Sequence, residues 1–437
     1  MNNLIDETHD PARRSWLASA NIEDGDFPIQ NLPLCVFEVD GQDARGGIGI
    51  GDQVLDLKAL ALSGLLHGEA LDACRAAAQT TLNALMASPP SASFALRKSV
   101  SALLSTDSAV EQQVRNCLVA MDAVHFQLPA KIGGYTDFLC SKHHTERNLR
   151  LRGSHDGVPP AFFSLPVAYN GRVSSIRPSG QNPTRPWGQF RDANGQVIYA
   201  PSRALDFELE MGAFVRHGNQ LGEPIRISDA DSHIFGLALF NDWSAKDIQW
   251  WEQILGPFLG KSFFTNLSPW IVTMEALAPF RVAHSGPDKD DPPPPPHLVN
   301  AEDMAHGMFD IDMTASIRTE DMVRSGSPRK LLTATNLRNL HWTFAQMLAH
   351  HTSNGCNLET GDFFGSGTVS GSEISSAACM TELTSAGKQA IQVSETEERT
   401  WLQDGDEITF HAKARNKGFI PIGFGECRGI VMPAIRY

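Results

Sequence analysis

The sequence predicts a mainly β protein with some α-helices, organised as a small N-terminal domain and a larger C-terminal domain. Three observations predict it. The chain of 437 residues is longer than a single hydrophobic core usually supports. Beyond Pro129, short apolar runs alternate with Gly and Pro, which is typical of strands and turns. Between Lys58 and Met121 the composition is rich in Ala and Leu at helical spacing, which predicts helices within the first domain.

The N-terminal part is predicted to contain an arm followed by a small domain. Residues 1–24 are polar, and we expect a loosely held arm there. Residues 25–125 are predicted to form a β-barrel-like module with helices, and residues 126–437 the C-terminal domain. Gly51-Asp52-Gln53 lies between two strand-like runs and predicts a tight hairpin. Ser108-Ala109-Val110-Glu111 predicts a capping box at the start of the last helix of the module.

The composition of the chain limits the classes of binding partner that we expect. Hydrophobic residues make up 42% of the chain and charged residues 20%, as in soluble globular proteins. No apolar run approaches the roughly 20 residues that span a bilayer, and the N-terminus has no signal-peptide core. We therefore expect a cytoplasmic protein with no membrane partner. The net charge of −14 argues against nucleic acid, and seven dispersed cysteines predict reduced thiols.

Acidic and apolar residues alternate with period two from Leu205 to Met211, which is the pattern of a half-buried strand. Residues i and i+2 of a strand point to one face, so Asp206, Glu208 and Glu210 are predicted to project together. Adjacent carboxylates repel unless a cation or a proton relieves them, which favours a site for Mg²⁺ or Ca²⁺. The alternative is an edge strand with its polar face in water, and this stretch alone leaves both open.

A second polar cluster follows the apolar run at residues 234–240. A helix is predicted over residues 243–254, with Ser244 and Asp247 as its capping signal. Steps of four, three and four place four polar side chains on one face of it: Asp242, Lys246, Gln249 and Gln253. Such a stripe is either the solvated face of the helix or part of an active site, and its position directly after a buried strand favours the second.

Four further segments belong to the predicted C-terminal domain. Asp137 is followed at short range by the pair His143-His144, and histidine is the commonest general base, although isolated pairs are also structural. The glycine-rich residues 365–371 suit a loop that approaches a ligand closely. The five prolines at residues 292–296 predict an extended loop, either a surface insertion or a docking segment, and a second helix is predicted over residues 335–350.

Together these motifs resemble the fumarylacetoacetate hydrolase family. The resemblance extends over nearly the whole chain from about residue 25. It is carried, in order, by residues 27–33, 50–53, 136–138 with His144, 169–172, 205–211, 241–249, 256–263, 354–358 with 361–362, and 366–368.

The resemblance implies a fold, an assembly and an activity. The fold is a small N-terminal SH3-like barrel with a larger C-terminal mixed β-roll of the family type, and the assembly is a homodimer. The activity is metal-dependent hydrolysis of a carbon–carbon bond in an anionic 1,3-diketone acid. The most direct substrate is fumarylacetoacetate, cleaved to fumarate and acetoacetate in tyrosine and phenylalanine catabolism. Alternatives are an acylpyruvate hydrolase, a 2-oxo acid decarboxylase, and a non-catalytic ion-binding or scaffold protein.

The resemblance also implies roles for individual residues. The implied metal ligands, with their two supporting residues last, are Asp137, Glu208, Glu210, Asp242, Lys261 and Thr265. Carboxylates without His or Cys suit Mg²⁺ or Ca²⁺ better than Zn²⁺. His144, oriented by Glu382, is the implied base that activates water. The residues implied to stabilise the enolate are Lys261, Lys246 and Gln249. We expect Glu208→Gln to abolish activity and to leave folding largely intact.

The implied substrate-binding positions depart from the family pattern. Tyr169 and Thr368 match it, but Leu139 and Gln253 stand where tyrosines are usual, and Lys246 stands where an Arg is usual. The run after His144 is unusually basic. Arg152 lies closest to the family's substrate-contacting Arg, and the other two candidates are Arg147 and Arg150. We infer that the hydrolase chemistry persists with an acyl group that need not be fumaryl, and that the extra arginines fit an anionic tail.

Overall fold

The computed structural model describes residues 4–154, 157–252 and 256–436. The strands of the N-terminal part are β1 (Leu34–Glu38), β2 (Arg45–Ile50), β3 (Gln53–Asp56), β4 (Leu118–Ala120) and β5 (His125–Gln127). Its helices are α1 (Leu57–Leu62), α2 (Gly68–Ala77), α3 (Asn83–Met86), α4 (Pro90–Leu104) and α5 (Glu111–Arg115).

The N-terminal strands form one antiparallel five-stranded sheet in the order β4-β3-β2-β1-β5, with the helices inserted between β3 and β4. The predicted hairpin is confirmed, because β2 and β3 pair around Gly51, whose φ is +56°. The predicted capping box is wrong. Val110 occupies the N-cap of α5 without a side-chain cap, and Ser108 lies too early, accepting instead from the Val110 backbone N–H at 3.4 Å.

The expectation of a loosely held arm is wrong for the described residues 4–24. The His9 ring lies 2.9 Å from the Glu275 carbonyl, and the buried Arg97 donates to Thr8 Oγ1. Ser15 donates to the Leu104 carbonyl. The segment therefore packs on both parts of the chain. The predicted domain boundaries themselves remain predictions.

The C-terminal part contains most of the strands. They are β6 (Tyr135–Phe138), β7 (Ala168–Asn170), β8 (Ile176–Pro178), β9 (Trp187–Arg191), β10 (Val197–Pro201), β11 (Leu205–Asp206), β12 (Leu209–Val215), β13 (Ile234–Asp242), β14 (Ser244–Ala245), β15 (Thr265–Leu267), β16 (Val272–Thr273), β17 (Arg281–Val282), β18 (Met308–Phe309), β19 (Ile311–Arg318), β20 (Lys330–Asn336), β21 (Phe363–Gly365), β22 (Ile391–Gln392), β23 (Glu398–Arg399), β24 (Glu407–Ala414) and β25 (Ile422–Ile430).

The helices of this part are short. They are α6 (Lys142–Leu151), α7 (Pro160–Ser164), α8 (Ile227–Ala230), α9 (Lys246–Glu252), α10 (Met274–Leu277), α11 (Ala301–His306), α12 (Glu320–Ser325), α13 (Phe344–Thr352) and α14 (Met380–Leu383). No described helix is long and apolar enough to cross a membrane.

Two sheets pack around the main core. An eight-stranded sheet runs β7-β6-β21-β12-β13-β15-β8, with β16 also pairing with β13, and a four-stranded sheet runs β20-β19-β24-β25. β6 and β21 pair in parallel, whereas β12 pairs antiparallel with both β21 and β13. Buried Phe207, Trp243 and Phe410 belong to the core cluster that joins the sheets. The predicted fold class, mainly β with a small N-terminal and a larger C-terminal part, is confirmed.

The two predicted helices exist but are shorter. The chain stays extended through Ser244 and Ala245 because they pair with β11, so α9 begins only at Lys246 and the predicted cap is wrong. Residues 335–336 belong to β20, and α13 begins at Phe344 after a capping box made by Thr343 and Gln346. Tertiary strand pairing thus shortens both helices at their N-termini.

Candidate active site

A cavity of about 390 Å³ lies where β6, α6, α9 and the glycine-rich loop meet. It contains most of the residues that the sequence singled out. Those that line it are Asp137, Leu139, His144, Arg152, Tyr169, Glu208, Glu210, Lys246, Gln249, Lys261 and Thr368. Gln253 lies outside the described residues.

Three carboxylates from three strands converge beside this cavity. Asp137 on β6, Glu210 on β12 and Asp242 at the end of β13 each offer an oxygen within 4.8 Å of the others. β21 lies between β6 and β12, and it carries Gly365 at the level of Asp137. A Cβ on Gly365 would stand 2.3 Å from Asp137 Oδ1, so only glycine leaves room for that carboxylate.

The environment of Glu210 fits a cation. Its carboxylate is fully buried, and neither oxygen has a hydrogen-bond partner among the described residues. Burial, together with the charges of Asp137 and Asp242, raises the pKa of Glu210 well above its usual value. Burial and Asp242 likewise raise the pKa of Asp137 well above its usual value. Buried carboxylates without donors are costly unless a cation neutralises them, so this donor set suits a hard divalent ion.

Glu208 has the opposite environment. Its oxygens accept hydrogen bonds from the ammonium groups of Lys246 and Lys261, and Ser244 Oγ donates to it at 3.2 Å. Burial would raise the pKa of Glu208, but the two lysines hold it well below its usual value. Lys261 also contacts Asp242 Oδ2, at 2.5 Å. Lys261 therefore links Glu208 to the carboxylate triad.

Asp206 does not join this cluster. Its carboxylate accepts hydrogen bonds from the backbone N–H groups of Met380 and Thr381 and from Thr381 Oγ1, at 2.5 to 2.8 Å. The prediction that it projects with Glu208 and Glu210 is wrong, because the strand is interrupted between β11 and β12 and parity is lost there. The alternative of an edge strand facing water is also wrong, since residues 205–211 are all buried.

The predicted polar stripe is only partly helical. Asp242 ends a strand, where Thr265 pairs with it and donates from Oγ1 to Oδ1 at 3.4 Å. Lys246 and Gln249 lie on α9 and line the cavity, three residues apart. Gln249 Oε1 is buried without a partner among the described residues, as is Thr368 Oγ1. Both atoms are thus placed to receive a ligand.

His144 faces the cavity from the first turn of α6, where Ser141 caps the helix by accepting from the His144 backbone N–H. Its Nδ1 donates to Glu382 Oε1 on α14. Ser370 Oγ donates to the same oxygen at 2.8 Å. Burial would raise the pKa of Glu382, but His144 and Arg147 lower it below its usual value. The predicted imidazole–carboxylate pair is therefore present. The ring nitrogen of His144 that does not contact Glu382 is Nε2.

The three candidate arginines have separate environments. Arg152, the candidate nearest in sequence to the position of the family's Arg, lines the cavity. Arg150 pairs with Glu146 at the surface of α6. Arg147 donates from Nη1 to Glu382 Oε2 at 2.8 Å and so turns away from a substrate tail. Of these three arginines, Arg152 alone lines the cavity, so the expected group of several arginines around an anionic tail is reduced to one.

The contacts of two tyrosine hydroxyls with the carboxylates were missed by sequence reasoning. Tyr135 Oη donates to Asp137 Oδ2 at 2.9 Å, and Tyr169 Oη donates to Asp242 Oδ2 at 2.7 Å and to Asp137 at 3.3 Å. The signal for Tyr135 was its position two residues before Asp137 on one strand face. Tyr169 was assigned to substrate contact only, whereas its hydroxyl also orients the carboxylate cluster.

Known proteins match the chain over nearly its whole length. The family model "Fumarylacetoacetase N-terminal" matches residues 30–129, and "Fumarylacetoacetate (FAA) hydrolase C-terminal" matches residues 134–432. The fumarylacetoacetase of Oryza sativa subsp. japonica is 44% identical over 420 residues, covering 94% of this chain and 95% of that protein. The fumarylacetoacetase of Mus musculus is 43% identical over 422 residues, covering 94% and 98%.

Proposed function

Since the chain belongs to the fumarylacetoacetate hydrolase family, we propose that it hydrolyses fumarylacetoacetate to fumarate and acetoacetate. The observation that carries this proposal is the hydrogen-bonded pair of His144 and Glu382 opening onto the same cavity as the carboxylate triad. A base and a cation-binding cluster beside one cavity are what hydrolysis of an anionic diketone requires.

The carboxylates would hold Mg²⁺ or Ca²⁺. Support comes from the oxygens of Glu210, which have no hydrogen-bond partner in the described part of the chain, and from an all-oxygen donor set, which favours hard cations. The proposed ligands are Asp137, Glu208, Glu210 and Asp242, with Lys261 and Thr265 as supporting residues. When bound, the cation supplies positive charge that polarises the substrate's carbonyl oxygens. The lysines on Glu208 keep that ligand ionised.

His144 is the proposed base. With Nδ1–H donated to Glu382, Nε2 carries a lone pair that accepts from Asn148 Nδ2 at 3.0 Å. Water is proposed to take the place of that amide and to give its proton to Nε2. The hydroxide formed attacks the carbonyl distal to the acetoacetate carboxylate. The bond between that carbon and the methylene carbon then breaks, and its electron pair stays on the methylene carbon as an enolate. The proton held by His144 returns to that carbon, which gives acetoacetate.

Three polar residues are proposed to stabilise the enolate charge. Lys246, Lys261 and Gln249 line the cavity beside the carboxylates. Both ammonium groups are already fixed by Glu208, so they need no reorganisation when the negative charge develops. Burial would lower the pKa of Lys261, but Asp242 and Glu208 raise it well above its usual value, so the group stays cationic.

The substrate's acyl end is proposed to lie against Leu139, Tyr169, Thr368 and Gln253, with Arg152 pairing its terminal carboxylate. A second candidate substrate is an acylpyruvate with a different acyl group. Leu139, Leu149 and Val167 support it, because they give this end of the cavity an apolar wall. The His144–Glu382 pair favours water activation, so a decarboxylase is the weaker alternative. We also propose a cytoplasmic homodimer, as is usual in the family.

The test is cleavage of fumarylacetoacetate by the purified protein, followed as loss of the diketone's near-ultraviolet absorbance. Mg²⁺, Ca²⁺ and EDTA are compared, and an acylpyruvate series is run in parallel. Fast cleavage that EDTA abolishes and either cation restores supports the proposal. Metal-dependent cleavage of acylpyruvates, without cleavage of fumarylacetoacetate, would support the second candidate substrate instead. A protein that binds the cation and cleaves neither substrate would contradict both.

A further inference from the structure

We propose that Arg147 is a positioning residue for the His144–Glu382 pair, which fixes the Glu382 carboxylate and moderates its charge. The inference rests on the proposed role of His144 as the base and deepens it. The sequence grouped Arg147 with the candidate substrate-binding arginines, but its contacts join it to the base instead.

The geometry fixes both oxygens of Glu382. Arg147 follows His144 by three residues on α6, so the two side chains share one helix face. Arg147 Nη1 donates to Glu382 Oε2 at 2.8 Å. The other oxygen, Oε1, accepts from His144 Nδ1 and from Ser370 Oγ. The carboxylate therefore cannot rotate without losing a contact on each side.

The other terminal nitrogen of the guanidinium, Nη2, holds the Arg147 side chain in place. Nη2 donates to the carbonyl oxygens of Gly371, at 2.8 Å, and of Ser372. A planar guanidinium that donates in two directions fixes its own orientation, which a lysine ammonium cannot reproduce. Arg147 thus joins three segments: helix α6 with the base, the end of the glycine-rich loop, and helix α14 with Glu382.

The same contact adjusts the charge next to the imidazole. The Glu382 side chain is fully buried, with an exposed fraction of 0%, where charge–charge interactions are strong. An unpaired buried carboxylate would stabilise the protonated imidazole and make the base a poorer water activator near neutral pH. Because Arg147 offsets part of that charge, it limits how strongly Glu382 can stabilise the imidazolium.

Other ionisable groups around His144 do not duplicate this role. Cys379 and Glu382 face it from the α14 side, and the charge of Glu208 acts on it from the link between β11 and β12. Glu208 is neutralised by Lys246 and Lys261. Among the described residues, Arg147 is the cation that contacts Glu382.

The test compares Arg147→Met, Arg147→Lys and the matched control Arg150→Met. Arg150 lies on the same helix but pairs with Glu146 at the surface. For Arg147→Met we expect kcat to fall about tenfold to a hundredfold with KM changed less than about threefold. We expect the acidic limb of its kcat profile to rise by about half to one pH unit. Arg147→Lys should restore the limb and part of kcat, and Arg150→Met should behave as the unchanged protein.

Two kinetic results would overturn the proposal. One is an Arg147→Met protein with unchanged kcat and pH profile. The other is a rise in KM with the pH profile unchanged, which would make Arg147 a substrate-binding residue. If Arg147→Met does not fold, Arg147→Lys decides by itself: reduced kcat with the original acidic limb supports the proposal, and undiminished kcat contradicts it, because the loss of the planar fork would then be harmless.

A measurement independent of turnover separates this proposal from the proposed function. The imidazole of His144 is titrated by ¹⁵N NMR in the metal-loaded protein, with His144→Gln used for assignment. A higher His144 pKa in Arg147→Met than in Arg150→Met supports the role of Arg147 even if the substrate proves different. Equal values would overturn it even if fumarylacetoacetate is cleaved.

Discussion

Glu208 and Glu210 are separated by one residue but have opposite electrostatic surroundings. Glu208 accepts hydrogen bonds from two lysine ammonium groups, whereas both oxygens of Glu210 are buried without a donor among the described residues. The alternating sequence pattern groups these two residues, but their side chains have different roles. As a proposed ligand Glu208 is already paired with two ammonium groups of the chain, whereas for Glu210 the added cation would be the neutralising partner.

Glu210→Gln should stabilise the metal-free protein while weakening metal binding. The amide removes the cost of burying an ionisable carboxyl next to Asp137 and Asp242, a gain on the order of 1–2 kcal/mol. Urea unfolding with EDTA measures the first effect, and calorimetric titration with Mg²⁺ or Ca²⁺ measures the second. A variant that binds the ion as tightly as the unchanged protein would remove Glu210 from the ligand set.

Glu208→Gln should abolish activity and also destabilise the fold. Two buried ammonium groups would lose their carboxylate, which typically costs about 3–5 kcal/mol. The structure thus changes the expectation, drawn from sequence, that folding would stay largely intact. Urea unfolding without metal provides the comparison. Equal stability of the two proteins would mean that the lysines are satisfied in another way.

His144→Gln should reduce kcat by about 10²–10⁴-fold with folding and metal affinity retained. The neighbouring His143→Gln is the matched control, since His143 is only partly buried and forms no hydrogen bond or ion pair with Glu382 among the described residues. Thermal unfolding and metal titration accompany the kinetics. Comparable losses in the two variants would indicate a disturbed α6 rather than a missing base.

Asp206→Ala should lower stability and leave the affinity for the cation nearly unchanged. Asp206 accepts three hydrogen bonds at the start of α14, and losing a bond to a charged acceptor costs about 1.5–3 kcal/mol. Because α14 carries Glu382, kcat should fall as well. Strongly reduced metal binding would instead assign Asp206 to the cation site.

Asp303→Asn should make stability less dependent on pH. Burial, the largest cause, raises the pKa of Asp303 to about 6, although Thr343 donates to its carboxylate. The folded chain thus keeps this proton up to about pH 6, while the unfolded chain releases it near pH 4, so stability falls as pH rises between these values. The variant should gain about 2–3 kcal/mol over the unchanged protein above pH 6, and almost nothing at pH 4. Urea unfolding at both ends of this window would refute the assignment if the difference is constant.

Local patterns predicted much of the fold and site correctly. Three of the patterns depend only on residues that are neighbours in sequence: the period-two alternation, the Gly51-Asp52 turn and the helical composition of residues 58–121. They can therefore be recognised from the sequence alone. The start of α9 depends on pairing with β11, and the direction of Asp206 depends on the backbone of α14. Local sequence patterns contain neither of these. The contact of Arg147 with Glu382 joins residues 235 apart, so spacing could place Arg147 beside His144 but could not supply its partner.

The parallel pairing of β6 with β21 has a consequence for synthesis. β21 separates β6 from β12, and His144 meets Glu382 across 238 residues of chain. While the ribosome is still translating that interval, β6 and β12 each have an unpaired edge, and His144 has no carboxylate partner. A chain ended by a premature stop before β21 would keep all four proposed carboxylate ligands yet expose those edges. In the cell, such a fragment would therefore be an aggregation-prone target of quality control rather than a weak enzyme.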